Sequence, residues 1–227
     1  MITRTLCGRR QTTSAVPIKD KSGKLLTTEE EIDKRWKEHF EEVLNRPDPP
    51  TPASISEPET ELNVDIEPPS KPEIKAAIKT LKNGKAPGGD CLNAEMLKAD
   101  PDMTTTALHP LFKAIWDEEK LPGDWCKGTI IKVPKKGNLA DCNNWRGITL
   151  LSIPSKVLCK IIINRLGPAL DKILRKEQCG FRRGRGCADH ISALRNIIEQ
   201  SNEWQSELYI NLIDYEKAFD SLHRDSL

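Results

Sequence analysis

Eight of the sixteen prolines fall between Pro47 and Pro72, interspersed with acidic side chains. Each fixes φ and removes a backbone donor, so no packed element survives that density and the stretch is a linker. Folded parts must therefore be built on either side of it. Upstream, Ile32, Trp36, Phe40 and Val43 or Leu44 recur on one helical face. They predict a helix over residues 28–44, opened by a Thr28/Glu31 capping box and stopped at Asn45-Arg46-Pro47. Residues 1–26 are basic, polar and without periodicity, and are expected to be extended or disordered.

Downstream, Ile74, Ile78 and Leu81 predict a short helix ending at Asn83-Gly84. A loop, Gly84-Lys-Ala-Pro-Gly-Gly-Asp90, leads to a helical Asn93–Lys98. Leu108, Leu111, Phe112, Ile115 and Trp116 mark a further buried helical face. The pattern then changes. Residues 128–133 and 145–150 are strand-like and flank a ten-residue polar loop, a hairpin with a basic tip. Helical spacing returns over Ser155–Leu166 and over Asp189–Trp204, the latter through Ile191, Leu194, Ile197 and Ile198. Residues 208–213 form an apolar strand that runs into Asp214. The fold class is α+β.

The net charge of +1 conceals a partition. Residues 27–70 hold four basic and thirteen acidic residues, a balance of −9. Residues 127–186 hold fourteen basic and three acidic ones, +11, and residues 187–227 come to −5. A basic stretch followed by a carboxylate-rich one suits phosphate handling with bound cations, though a solvated basic face has the same composition. Seven cysteines without any C-x-x-C pair argue against a zinc knuckle and a disulfide scaffold. No apolar run reaches the ~18 residues of a membrane helix and no secretory leader is evident, so the expected setting is intracellular, nuclear or cytoplasmic.

Three pieces could carry chemistry. A strand ending at Asp214 holds a carboxylate rigidly, as Mg²⁺ sites require, although such an Asp also caps turns. Asp220 has the stronger claim to capping, at the head of a helix expected over residues 221–227. Lys135, Lys136 and Arg146 on the hairpin could close over a triphosphate, or could be an exposed basic loop. Arg182, Arg183 and Arg185 beside Phe181 suit a nucleic-acid strand, or a solvated loop with Phe181 in the core.

In order, these pieces resemble the reverse transcriptases of non-LTR (LINE-type) retrotransposons. The resemblance is carried by Val133-Pro-Lys-Lys-Gly137, Asn144-Trp-Arg-Gly-Ile-Thr-Leu-Leu-Ser152, Lys156 with Asn164-Arg-Leu166, Glu177-Gln-Cys-Gly-Phe-Arg-Arg-Gly-Arg185 and Ile213-Asp-Tyr-Glu-Lys-Ala-Phe-Asp-Ser221. It extends more weakly to residues 74–90. It implies a right-hand polymerase fold with fingers and a partial palm over residues 127–227. A helical extension over 71–126 and a spacer over 1–70 would precede it. It implies Mg²⁺ at Asp214, the catalytic ligand, and a triphosphate held by Lys135 and Arg146 near Lys217, Ala218 and Phe219. Phe219 would reject a 2′-hydroxyl. Lys136, Arg182, Arg183 and Arg185 would contact nucleic acid, the partners being an RNA template, a DNA primer and deoxynucleotides. The sequence has no Asp-Asp pair for the second metal-binding motif, so the metal site is expected to be incomplete and the chain inactive alone. The other reading is a non-catalytic nucleic-acid-binding module using residues 127–186.

Overall fold

The computed structural model describes residues 16–51, 54 and 61–224, and the chain divides into two compact units that interleave along the sequence. One draws on residues 1–55, 130–149 and 216–227, the other on 56–129 and 150–215.

The first unit begins with a two-stranded antiparallel ribbon, β1 (Ile18–Lys19) and β2 (Leu25–Leu26). This corrects the expectation that residues up to 26 are irregular, although residues 1–15 lie outside the described part. The turn is made by Asp20, whose Oδ1 accepts from the backbone N–H groups of Ser22 (2.8 Å) and Lys24 (2.9 Å), with Gly23 at φ +91°. Ile18 is fully buried. Helix α1 (Glu29–Leu44) follows. Its apolar face is the one expected, with Ile32, Trp36 and Val43 buried. The capping box does not form as such: Thr28 Oγ1 donates to Glu31 Oε2 at 2.7 Å, so the two side chains bond to each other.

Strands β3 (Thr129–Pro134) and β4 (Trp145–Leu150) pair in a second ribbon, the hairpin that the two strand-like runs predict. Ile18, Ile32, Trp36 and Cys142 form this unit's core with Leu26, Phe40 and Trp145 packed against it. The Trp36 and Trp145 rings meet edge to face, 5.5 Å between centroids, the arrangement their quadrupoles favour.

The second unit is helical. Helices α2 (Lys71–Thr80), α3 (Ala94–Ala99), α4 (Pro101–Glu118) and the first part of α5 (Ile153–Ile173) surround Ile74, Ile78, Phe112, Val157 and Ile161, all nearly or wholly buried. Leu111 departs from the expected buried face and is exposed. The starts of α2, α3 and α4 are capped by side chains. Glu73 accepts from Ser70 N–H (2.9 Å), Asn93 Oδ1 from Met96 N–H (2.8 Å), and Asp100 Oδ1 from Met103 N–H (2.9 Å). Helix α5 runs past Leu166 through Gly167 and Pro168, longer than the spacing suggests.

Helix α6 (Cys187–Glu203) has the predicted period but buries nothing: Ile191, Leu194, Ile197 and Ile198 are all exposed. Residues 206–215 carry no regular structure, which corrects the expected strand over 208–213. An apolar run becomes a strand only when a neighbour takes its backbone donors and acceptors, and none of the described residues does so. Asp220 lies in a series of turns over 216–221. Leu222 and His223 carry no regular structure, Arg224 is in a 3₁₀ turn, and residues 225–227 of the expected helix lie outside the described part. Six cysteines are free among the described residues. No described helix is long and apolar enough to cross a membrane.

Candidate nucleotide and nucleic-acid interface

The loop joining β3 to β4 is polar in sequence yet closely tied. Lys135 N–H donates to Asn144 O (2.7 Å), Asn144 Nδ2 to Asn138 O (2.9 Å) and Trp145 Nε1 to Leu139 O (2.9 Å). A single 3₁₀ turn, Cys142–Asn144, is capped by Asp141, which accepts from Asn143 N–H at 2.9 Å. Gly137 sits at φ +120°, open only to glycine at low cost.

This framework presents Asn143, which the sequence reading passed over. Its backbone carbonyl accepts from Lys135 Nζ at 3.1 Å, and its side-chain Oδ1 accepts from Lys217 Nζ at 3.2 Å. Two of the expected nucleotide-binding lysines, far apart in sequence, thus converge on one residue. Lys217 is held at φ +51°, an unfavourable backbone state for a side chain of its size. Nearby His39 is buried in α1 and its imidazole is pushed below its ordinary value, first by burial and then by the Lys217 and Arg35 charges. Its neutral ring adds no positive charge to the cluster at neutral pH. Lys136 and Arg146 are exposed on the same ribbon. Ala218 and Phe219 are exposed, and the Ala218 carbonyl accepts from Ser221 Oγ at 3.5 Å.

Asp214 belongs to the second unit and is exposed in the irregular segment after α6. The described residues contain no group of three or more His, Cys, Asp or Glu gathered to hold a metal ion. Asp214 offers oxygen of the kind Mg²⁺ takes, but one carboxylate does not make a two-ion centre, and the residues present do not fit one by themselves.

The arginine-rich loop separates into different roles. Arg182 folds back on the end of α5: Nε donates to Asp171 Oδ1 (2.7 Å), Nη1 to Arg175 O (2.7 Å) and Nη2 to Asp171 O (3.1 Å). The Arg182 bond holds the Asp171 carboxyl below its ordinary value. These contacts turn Arg182 toward tying the loop to the helix. Arg185 gives one bond, Nη1 to Lys176 O at 3.2 Å, and Arg183 is exposed without a side-chain partner among the described residues. Phe181 is 96% exposed at φ +58°, not in a core.

Residues 133–227 match the family described as reverse transcriptase (RNA-dependent DNA polymerase). The chain resembles the reverse transcriptases of non-LTR retrotransposons. It is 30% identical, over 96% of its length, to a probable RNA-directed DNA polymerase from transposon BS of Drosophila melanogaster, 25% of which it covers. It is 28% identical over 68% of its length to the RNA-directed DNA polymerase from mobile element jockey of the same species, covering 17% of it. A third relative is the Pol polyprotein from type-1 retrotransposable element R2 of Popillia japonica, 29% identical over 70% of this chain and 21% of the relative. This reverse-transcriptase-like chain thus spans a quarter or less of the length of these relatives. The match to the transposon BS protein takes in nearly the whole chain, well upstream of the family match.

Proposed function

We propose that this chain supplies the nucleotide-holding fingers and the first part of the palm of an RNA-directed DNA polymerase. Residues 71–126 act as a helical extension and residues 1–70 as a spacer before it. The observation that carries this reading is the convergence of Lys135 and Lys217 on Asn143. An ammonium has three donors; Asn143 takes one from each lysine, leaving two apiece for triphosphate oxygens. Asn143 therefore works as the positioning residue and the lysines as the anion clamp. Arg146 adds a planar fork from the neighbouring strand, and Phe219 serves as the ring that selects deoxyribose. Asp214 is the first carboxylate offered to Mg²⁺. Lys136 on the first unit and, separately, Arg183 and Arg185 on the second are contacts for RNA template or DNA primer, with Arg182 shaping the loop that presents the two arginines.

Nucleotide binding tests this directly. In a titration of the whole chain with a deoxynucleoside triphosphate, Lys135→Ala and Lys217→Ala should each weaken binding by roughly 10-fold, the loss of one or two charge-assisted hydrogen bonds. Asn143→Ala should weaken it as well, by releasing both ammonium groups. Equal affinity in all three variants would remove the clamp from the reading.

Single-stranded RNA is the second measurement. Affinity should fall steeply with salt, and Arg183→Ala should reduce the log–log slope by about 0.7, the value of one lost phosphate contact. A salt-dependent RNA affinity together with no triphosphate binding would favour a binding module built on residues 127–186, a reading supported by the exposure of Lys136, Arg146 and Arg183.

A further inference from the structure

The first unit contains a polar cavity of about 340 Å³ beside the β1–β2 turn, α1 and the 138–143 loop. Lys19, Arg35, Asn138 and Asn143 line it, whereas Lys135 and Lys217 do not. Arg35 is the anomaly. Its side chain is only 12% exposed, and Nε and Nη1 are enclosed without a hydrogen-bond acceptor. Among the described residues, the carboxylate oxygen within 4.0 Å is Glu38 Oε2, 3.9 Å from Nη1 and beyond hydrogen-bond reach. A guanidinium stays protonated in proteins, and enclosed donors left without an acceptor cost stability even when a carboxylate lies nearby.

The rest of the wall also presents donors. Asn138 Oδ1 already accepts from Ala140 N–H and Asn143 Oδ1 from Lys217, so each amide has its NH₂ group left to give. Lys19 is exposed and has no side-chain partner among the described residues. Lys21 is neutralised by Glu42. Two acids, Asp20 and Asp141, share the wall and offset the charges of Lys19 and Arg35; the Oδ1 of each is taken by backbone N–H of its own turn, so neither is bonded to Arg35. A cation has no place beside Arg35, and an apolar group would leave every donor unmet. The complement of this wall is an anion with several acceptor oxygens.

We infer that this cavity binds a phosphate group, with Arg35 and Lys19 supplying charge and the two asparagine amides supplying direction. The inference goes beyond the polymerase reading, because Lys19 and Arg35 lie outside the family match and Lys135 and Lys217 do not line the cavity, Asn143 alone being common to both. The phosphate could come from a free small molecule or from an RNA backbone, and the two sources separate experimentally.

The test uses the whole chain labelled at arginine nitrogen, with the Arg35 Nε–H signal identified by its loss in Arg35→Gln. Inorganic phosphate is titrated at constant ionic strength against chloride. The expected result is a saturable shift of that signal with phosphate only, and an affinity reduced about fivefold in Lys19→Gln by loss of one exposed cation. Lys19→Gln is the safeguard should Arg35→Gln fail to fold. A short single-stranded RNA that displaces phosphate from Arg35 identifies the backbone as the source, and an RNA that does not identifies a free phosphate compound. No shift with either ligand, an equal shift in chloride, or unchanged affinity in Lys19→Gln overturns the inference. The triphosphate titration reads Lys135 and Lys217 while this one reads Arg35, so either proposal can fail alone.

Discussion

Arg165→Ala should cost about 3–5 kcal/mol of stability, the range for removing one partner of a buried, hydrogen-bonded ion pair. The side chain is 8% exposed and every nitrogen is engaged. Nε donates to Glu73 Oε1 at 2.7 Å and Nη2 to Glu73 Oε2 at 2.8 Å, a two-pronged pairing with the carboxylate. Nη1 donates to the carbonyls of Asp65 (3.1 Å) and Glu67 (2.5 Å). The guanidinium also lies 5.5 Å from the Trp116 ring, and Trp116 Nε1 donates to Ile66 O at 2.8 Å. One arginine on α5 thus fixes the end of the proline-rich linker and the first turn of α2 together. Arg165→Lys should recover little, since an ammonium cannot span this fork. Urea unfolding of the whole chain gives the numbers, and a loss under about 1 kcal/mol would show the pair to be no stronger than a surface bridge.

The same pair sets an acid dependence. The bond from Arg165 holds the Glu73 carboxyl at about 2 against an ordinary 4.5. A depressed folded value means the stabilisation is complete above about 4.5 and drains away as pH falls toward about 2. Allowing for the solvent-facing part of the carboxylate, that limb is worth about 2–3 kcal/mol. In Arg165→Ala it should flatten, which unfolding curves across that pH range would reveal.

Gly88→Ala is the second large effect, expected at about 3 kcal/mol. A Cβ there would lie 2.6 Å from Leu151 C and Ser152 N and 2.9 Å from Leu151 O, all backbone atoms with little room to yield. Two residues on, Asp90 Oδ2 accepts from Ser152 Oγ at 2.7 Å, so the loop is fastened where β4 turns into α5. Gly89 meets nothing within 4 Å, and Gly89→Ala should stay within about 0.5 kcal/mol of the parent. Similar unfolding midpoints for the two variants would refute the close approach.

These contacts explain what the sequence could and could not announce. The apolar face of α1 was legible because Ile32, Trp36 and Val43 repeat locally, and local periodicity is what a helix needs. The β1–β2 ribbon had a local signal too, Asp20-Lys-Ser-Gly23, but it was masked by the polar composition around it. The period of α6 was legible and its burial was not, because burial depends on a neighbour. The strand expected before Asp214 failed for the same reason: an apolar run needs a partner strand, and its own residues do not name one. Asn143 and Arg165 were beyond reach in a different way. Their roles rest on carbonyls and ammonium groups brought from distant positions, and nothing in the adjacent residues records that meeting. The arginine loop is basic in the sequence itself, but only its folded contacts distinguish Arg182, bonded inward, from Arg183.

The interleaving of the two units also bears on how a ribosome delivers this chain. The helical core of the second unit needs nothing beyond α5, so it can close while α6 is still being synthesised. The first unit is different. Its β1–β2 ribbon and α1 are made first, wait for the β3–β4 ribbon, and gain the Lys217 and His223 contacts with Asn143 and Asp48 only near the end of the described chain. The β1–β2 ribbon and α1 are thus completed by residues made long after them, so a nascent-chain stall before residue 217 should leave Lys135 alone on Asn143.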